Sequence, residues 1–300
     1  MFETVEFESE NATLRGRLYP ALSGQPSPIV VMAHGFSATI TMVTDRYAEV
    51  FQEAGLTVLL YDHRNFGASD GEPRRAINPW LQARGYRDAI TFAASLTGVG
   101  NGAIGLWGDS FSAPVTLVVA SVDQRVTAVV AQVPATGTAP APADPDGSIF
   151  EALRETLLHG DIAGDPGDSK GPLPVVSSDQ AGTPSLLTPI QAYRWFIDYG
   201  GRFGTGWENS ATRVIPKTSA PFHAGLAAPH VRCPTLMQVA TFDEMPGAVP
   251  AVARGVFAAL GGPKELAEID GGHFGLLHYP SQLFDEASSA QRDFLLRHLA

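Results

Sequence analysis

The chain has a single cysteine, Cys233, in 300 residues. No intrachain disulfide can form, and metal sites built from cysteine pairs are excluded. Basic residues are also scarce. Twenty Lys and Arg stand against 31 Asp and Glu for a net charge of −11, and no basic run exceeds the pair Arg74-Arg75. A phosphate backbone is bound by clustered cations, so no nucleic-acid partner is expected. No stretch reaches the ~18 consecutive apolar residues of a membrane span. The start, Met1-Phe2-Glu3-Thr4-Val5-Glu6, carries acids where a secretory leader has a basic start and an apolar run. A cytoplasmic protein without a membrane partner is the expectation. There is no Walker sequence and no His-Glu-x-x-His, and the glycine-rich run Gly98 to Ala103 precedes a strand, whereas a dinucleotide loop follows one. Neither a cofactor nor a metal is expected. A homodimer is compatible with the sequence, which does not fix the oligomeric state.

What is present suits a globular α/β protein: 44% apolar and 17% charged residues. Residues 2–9 and 12–20 alternate apolar and polar around Glu10-Asn11 and predict a hairpin at a sheet edge. Continuous apolar runs follow at Ile29 to Ala33, Thr57 to Tyr61, Ala103 to Trp107, Val126 to Val133, Thr235 to Ala240 and Leu266 to Ile269. Helices are predicted at Val43 to Ala54, Pro79 to Leu96, Ala113 to Ser121, Ala248 to Leu260 and Ser281 to Leu299. Apolar strands alternating with helices imply a parallel sheet covered on both faces. The alternation breaks over 136–214, where Pro140 to Pro145 and Gly164-Asp165-Pro166-Gly167 are rich in Pro, Gly and Asp. Residues 1–135 and 215–300 are read as the core and 136–214 as a lid insertion. Two lid helices open with Ser148-Ile149-Phe150-Glu151 and Thr188-Pro189-Ile190-Gln191, both capping-box patterns, the second with Pro at the first helical position. On the second, Trp195 and Tyr199 share a face and are candidates to line an acyl pocket, with packing onto the core as the alternative.

Gly105 to Ala120 reads as a buried strand, a sharp turn carrying Ser110, and an apolar helix, the context of a nucleophile elbow. Gly67-Ala68-Ser69-Asp70-Gly71 matches Gly-x-Ser-x-Gly letter for letter, but Pro73 and the charges after it deny an apolar helix, so Ser69 is assigned to a polar loop. A serine hydroxyl needs a base oriented by a carboxylate. Of the eight histidines, His273 lies just beyond a strand in the C-terminal half, behind Gly271-Gly272. His278 is the nearest rival. Asp243 follows the strand Thr235 to Ala240 and is the candidate acid, with Glu244 and Asp270 as rivals. The oxyanion of acyl transfer needs two donors, for which the backbone N–H groups of Phe111 and of Phe36, in His34-Gly35-Phe36, are placed.

With these residues assigned, the chain resembles the α/β-hydrolase superfamily. Tyr61-Asp62-His63-Arg64-Asn65-Phe66-Gly67-Ala68-Ser69-Asp70-Gly71, Leu106 to Ser112 and Ile269-Asp270-Gly271-Gly272-His273-Phe274 are similar to the dienelactone-hydrolase-like esterases and the related polyketide acyltransferases and thioesterases. The resemblance implies a mostly parallel eight-stranded sheet flanked by helices and an acyl-enzyme on Ser110, with Asp243 as acid and His273 as base. Ser112 departs from the glycine of many relatives, which implies a small strain at the elbow. The expected function is cleavage of a small-molecule carboxylic ester or thioester. Acyl transfer to an alcohol or amine on the same residues is the alternative, and ligand binding without turnover a third reading.

Overall fold

The computed structural model describes residues 1–162 and 166–299, so Gly164 and Asp165 of the Pro- and Gly-rich interval lie outside the described residues. The chain opens with a hairpin, β1 (Glu3–Ser9) and β2 (Ala12–Tyr19), which turns through Glu10 and Asn11, both at positive φ. Next come β3 (Ser27–Ala33), α1 (Thr44–Glu53), β4 (Thr57–Tyr61), the two-residue β5 (Ala76–Ile77) and α2 (Pro79–Ser95). The middle of the chain holds β6 (Val99–Asp109), α3 (Ser112–Val122), β7 (Val126–Gln132), α4 (Ser148–His159), β8 (Pro166–Leu173), α5 (Ile190–Gly200) and β9 (Ala211–Pro216). The last third adds α6 (Ala224–Ala227), β10 (Thr235–Ala240), α7 (Pro250–Ala259), β11 (Lys264–Ile269) and α8 (Gln282–Leu299).

Eight strands make one sheet in the order β1-β2-β4-β3-β6-β7-β10-β11, antiparallel at β1–β2 and β2–β4 and parallel elsewhere. The fold is thus α/β, a mostly parallel sheet flanked by helices. Because successive strand residues face opposite ways, the unbroken apolar run of β3 feeds two cores. Ile29, Val31 and Ala33 pack with α2 and α3, while Val30 and Met32 pack with α1 and α8. Under the second face the Gln291 side chain of α8 accepts from the Trp107 indole N–H at 2.7 Å and donates to the Gln132 and Gln238 side-chain oxygens. The parallel strands β3, β6, β10 and β11 end at one edge, where ligands of open α/β sheets gather.

The interval between β7 and β10 holds both predicted helices, but their starts differ from the capping boxes expected. The cap of α4 is Gly147, and the Ile149 and Phe150 N–H groups donate to the Asp144 carboxylate at 3.0 and 2.9 Å. A carboxylate reaching back from the preceding loop meets the orphan donors, and Ser148 instead bonds Asp146. Helix α5 begins at Ile190 with Pro189 as an extended cap, so the proline stands one position earlier than predicted. Its fixed φ leaves ψ free, and here ψ is 140°, outside the helical range. Three strands that hydrophobic patterning did not suggest form a second sheet, β5-β9-β8, parallel at β5–β9 and antiparallel at β8–β9. Helix α4 packs on the α2 side of the main sheet through Phe150, Leu153 and Leu157, and α5 on the other side through Trp195, Phe196 and Tyr199.

Candidate active site

Between β6 and α3 the chain reverses at Ser110, which takes φ +52°, a left-handed conformation rare for a side-chain-bearing residue. The turn is pinned by the Ser110 N–H donating to the Gln132 carbonyl at 2.8 Å and by the Ala135 N–H donating to the Ser110 carbonyl at 3.0 Å. Gly108 is required beneath it, since a Cβ there would lie 2.6 Å from the Ser112 carbonyl oxygen. Ser112 itself is accommodated without the strain its departure from glycine implied. Its hydroxyl donates to the His34 carbonyl and is bonded to His63 Nε2 at 2.9 Å. A hydroxyl has one proton to give, so His63 is the donor in the second bond and carries its proton on Nε2.

His273 follows β11 and Gly271-Gly272. Its Nε2 lies 2.8 Å from Ser110 Oγ and its Nδ1 2.7 Å from Asp243 Oδ2. The His273 and Asp243 side chains are only 2% and 3% exposed, so their bond is shielded from competing water. Asp243 is aimed by the Met245 N–H, which donates to Oδ1 at 2.9 Å. Its rival Glu244 serves the same histidine differently: its carboxylate accepts the His273 backbone N–H at 2.7 Å. Asp270 and His278 are exposed at the surface. The turn 273–277 is anchored from two sides, by the Tyr47 hydroxyl on the Leu276 carbonyl at 2.7 Å and the Trp195 indole N–H on the Leu277 carbonyl at 2.8 Å.

Gly35 and Phe36 lie beside the elbow. Gly35 fits where a Cβ would stand 2.9 Å from Ser110 Cβ, and Phe36 takes φ +43°. The Phe36 and Phe111 rings meet edge to face at 5.7 Å. Among the described residues neither of their backbone N–H groups donates to another protein group. Below this loop is a buried polar layer that motif reading missed. Asp62 accepts the Ile40 and Ala68 N–H groups, each at 3.0 Å, and so ties the loop after β3 to the loop after β4. Burial raises its carboxyl to about 6. His34 accepts the His63 N–H at Nε2, and burial lowers it to about 4, leaving a neutral acceptor. Burial also pushes the Asp109 carboxyl up, to about 7, against the opposing effect of His273, and its Oδ1 is buried without a partner. Ser69 belongs to the loop after β4, its hydroxyl donating to the Asp62 carbonyl at 2.6 Å and accepting the Arg15 N–H at 2.8 Å, with no hydrogen bond to a histidine among the described residues.

A cavity of about 210 Å³ opens on Ser110 and His273, walled by Phe36, Phe111, Leu186, Trp195, Phe196 and Phe274 among others. A neighbouring one of about 440 Å³ shares Phe111, Ala135, Gly137 and Arg213 with it. Of the two helix residues predicted to line the pocket, Trp195 does. Tyr199 instead turns its hydroxyl to Tyr279, accepting that residue's N–H at 2.9 Å, and Phe196 takes the place at the wall. Among the described residues no helix is long and apolar enough to cross a membrane.

A family profile described as alpha/beta hydrolase fold matches residues 28–158. The thiohydrolase apmlB of Arthrinium phaeospermum is 30% identical over 99% of this chain and 97% of its own. The thiohydrolase aneE of Aspergillus aculeatus is 42% identical over a shorter match, 44% of this chain and 42% of that protein. The polyketide transferase grgF of a Penicillium species is 31% identical over 99% of this chain and 96% of its own. The crystal structure of that protein, an alpha/beta hydrolase, superposes with a TM-score of 0.73 over 100% of this chain and 99% of that one.

Proposed function

Because this chain belongs to the α/β-hydrolase family, we propose that it cleaves an ester or thioester through an acyl-enzyme on Ser110. The observation that carries this reading is the unbroken line Ser110 Oγ, His273 ring, Asp243 carboxylate, at 2.8 and 2.7 Å. With Nδ1–H donated to Asp243, the lone pair of His273 is on Nε2, facing the hydroxyl it must deprotonate. Ser110 Oγ attacks the carbonyl carbon as its proton passes to Nε2. The Phe36 and Phe111 N–H groups, free of protein partners, receive the charge that develops on the oxygen. The carbon–sulfur or carbon–oxygen bond then breaks, and the imidazolium returns its proton to the leaving thiol or alcohol. A water deprotonated by the same nitrogen attacks the acyl-enzyme and restores Ser110. Segment 136–214 roofs the cavity, and its aromatic wall suits an apolar acyl chain.

The similarity to a polyketide transferase along the whole chain supports a second reading, in which an alcohol or amine replaces water in the final step. The first half-reaction is common to both.

Release of p-nitrophenol and of free thiol from matched acyl esters and thioesters tests the proposal. Wild type turns over, and Ser110→Ala falls by about 10⁴-fold or more. Equal rates for the two proteins would overturn it. Added alcohols separate the readings, since a transferase yields the new ester in preference to the free acid.

A further inference from the structure

We infer that Lys170 and Arg213 form an anion-binding pair in the wall of the Ser110 cavity, so that the substrate carries a negative charge remote from its reacting carbonyl. The inference rests on the acyl-transfer reading of that cavity and names the class of molecule it takes.

Lys170 on β8 stands directly opposite Arg213 on β9 in their antiparallel ladder. Both residues are exposed to solvent and are among those lining the cavity that holds Ser110, and Arg213 also lines its neighbour. Directly opposed like charges destabilise a sheet, and neither residue has an ion-pair partner among the described residues. Other cations, among them Arg64, Arg74 and Arg194, also lack a carboxylate partner among the described residues, so what sets Lys170 and Arg213 apart is that they stand opposite each other at one cavity. Arg75, at the start of the same small sheet, pairs with Glu208 at 2.8 Å, and Arg15, Arg84 and Arg125 also have carboxylates. Asp168, two residues from Lys170 on β8, forms an ion pair with neither cation. An edge strand such as β8 is protected by one lysine, but edge protection does not call for a second cation opposite it, with both residues bordering a cavity. An anion between the two would remove their repulsion and gain two charge-assisted hydrogen bonds. The remaining walls are largely aromatic and aliphatic, so the substrate is an apolar acyl group with a charged end. The charge is either a phosphate on the leaving thiol arm or a carboxylate at the far end of the acyl chain.

Three thioesters separate these sources: butyryl-N-acetylcysteamine, which is neutral; butyryl-coenzyme A, with a phosphorylated thiol arm; and glutaryl-N-acetylcysteamine, with an acyl carboxylate. Thiol release is followed for wild type and for the double variant Lys170→Gln/Arg213→Gln. In wild type one anionic substrate exceeds the neutral one in kcat/KM by about tenfold or more, chiefly through KM, and about 0.5 M salt erases most of the advantage. In the double variant the ratio falls to near one, and Lys170→Arg retains it. An advantage for coenzyme A puts the anion on the leaving arm; an advantage for glutaryl puts it on the acyl chain. A wild-type ratio near one, or a ratio unchanged in the double variant, overturns the inference while leaving the hydrolase intact. Calorimetric titration of coenzyme A and glutarate into both proteins reads the pair without turnover. If no substrate is cleaved by a Ser110-dependent route, the proposed function fails by itself, and the titration still decides the anion site.

Discussion

Two adjacent acids hold one histidine in different ways, Asp243 by its ring and Glu244 by its main chain. The sequence left their order open, because neighbouring loop residues point to opposite sides and only the loop's path decides which meets the imidazole. The division predicts unequal losses. Asp243→Asn lets the ring settle with its proton on Nε2, where it cannot accept from Ser110, and kcat drops by about 10⁴-fold. Glu244→Gln keeps an acceptor for the His273 N–H but loses the charge assistance, so kcat falls by only about tenfold. Steady-state kinetics on one ester checks both, and a larger loss at Glu244 would reverse the assignment. The placement of Ser110, Asp243 and His273 beyond β6, β10 and β11 at one sheet edge could be read from the sequence, the first two behind apolar runs and His273 behind a mixed strand and two glycines. The Asp62, His34 and Asp109 layer could not, since polar residues near glycine-rich turns look like ordinary loop chemistry until burial is known.

At the scale of elements, the central strands of the main sheet could be read because burial on both faces leaves an apolar run, and the edge hairpin β1–β2 because its residues alternate. β5, β8 and β9 could not. β5 has two residues, and β8, Pro-Gly-Asp-Ser-Lys-Gly-Pro-Leu, is a strand only because β9 pairs with it. The cap of α4 was misplaced because a carboxylate from the preceding loop outcompetes the serine at the helix start. Loops with a fixed path are the costly ones to disturb. Gly67 has φ +49°, and a Cβ on it would stand 2.1 Å from the Asp62 carboxylate that joins two loops. Gly67→Ala is therefore expected to lower stability by about 2–4 kcal/mol, with loss of activity as the Phe36 loop loosens. Gly24 has φ +65° but no atom near its would-be Cβ, so Gly24→Ala costs only the backbone term, about 1 kcal/mol. Urea unfolding of the two variants reads the difference.

For the molecule as a whole, buried titratable groups beside the site act on stability in opposite senses as pH changes. His34, lowered to about 4, favours folding increasingly as pH rises from there to its ordinary value of 6.5, because only the unfolded chain binds the proton in that window. Asp109 is raised from 3.8 to about 7, so between those values the native state keeps a proton the unfolded chain has released, and rising pH destabilises the fold. Below the window the group is protonated in both states and has no effect; above it the penalty is constant. Asp109→Asn accordingly gains stability over wild type progressively from pH near 4 to near 7 and no further. Urea midpoints across that range test the sign, and a difference independent of pH would contradict it. Segment 136–214, proposed above as the roof over Ser110, is tied down at two places. β9 is laddered to β5, which belongs to the connection between β4 and α2, and α5 is held to the Leu277 carbonyl through Trp195. On the proposed function, a cover fastened along both margins is expected not to swing aside at an oil–water boundary, and substrate is expected to enter as single dissolved molecules. Velocity should then saturate smoothly as a sparingly soluble ester is raised through its solubility limit, without the jump shown by enzymes that wait for an interface.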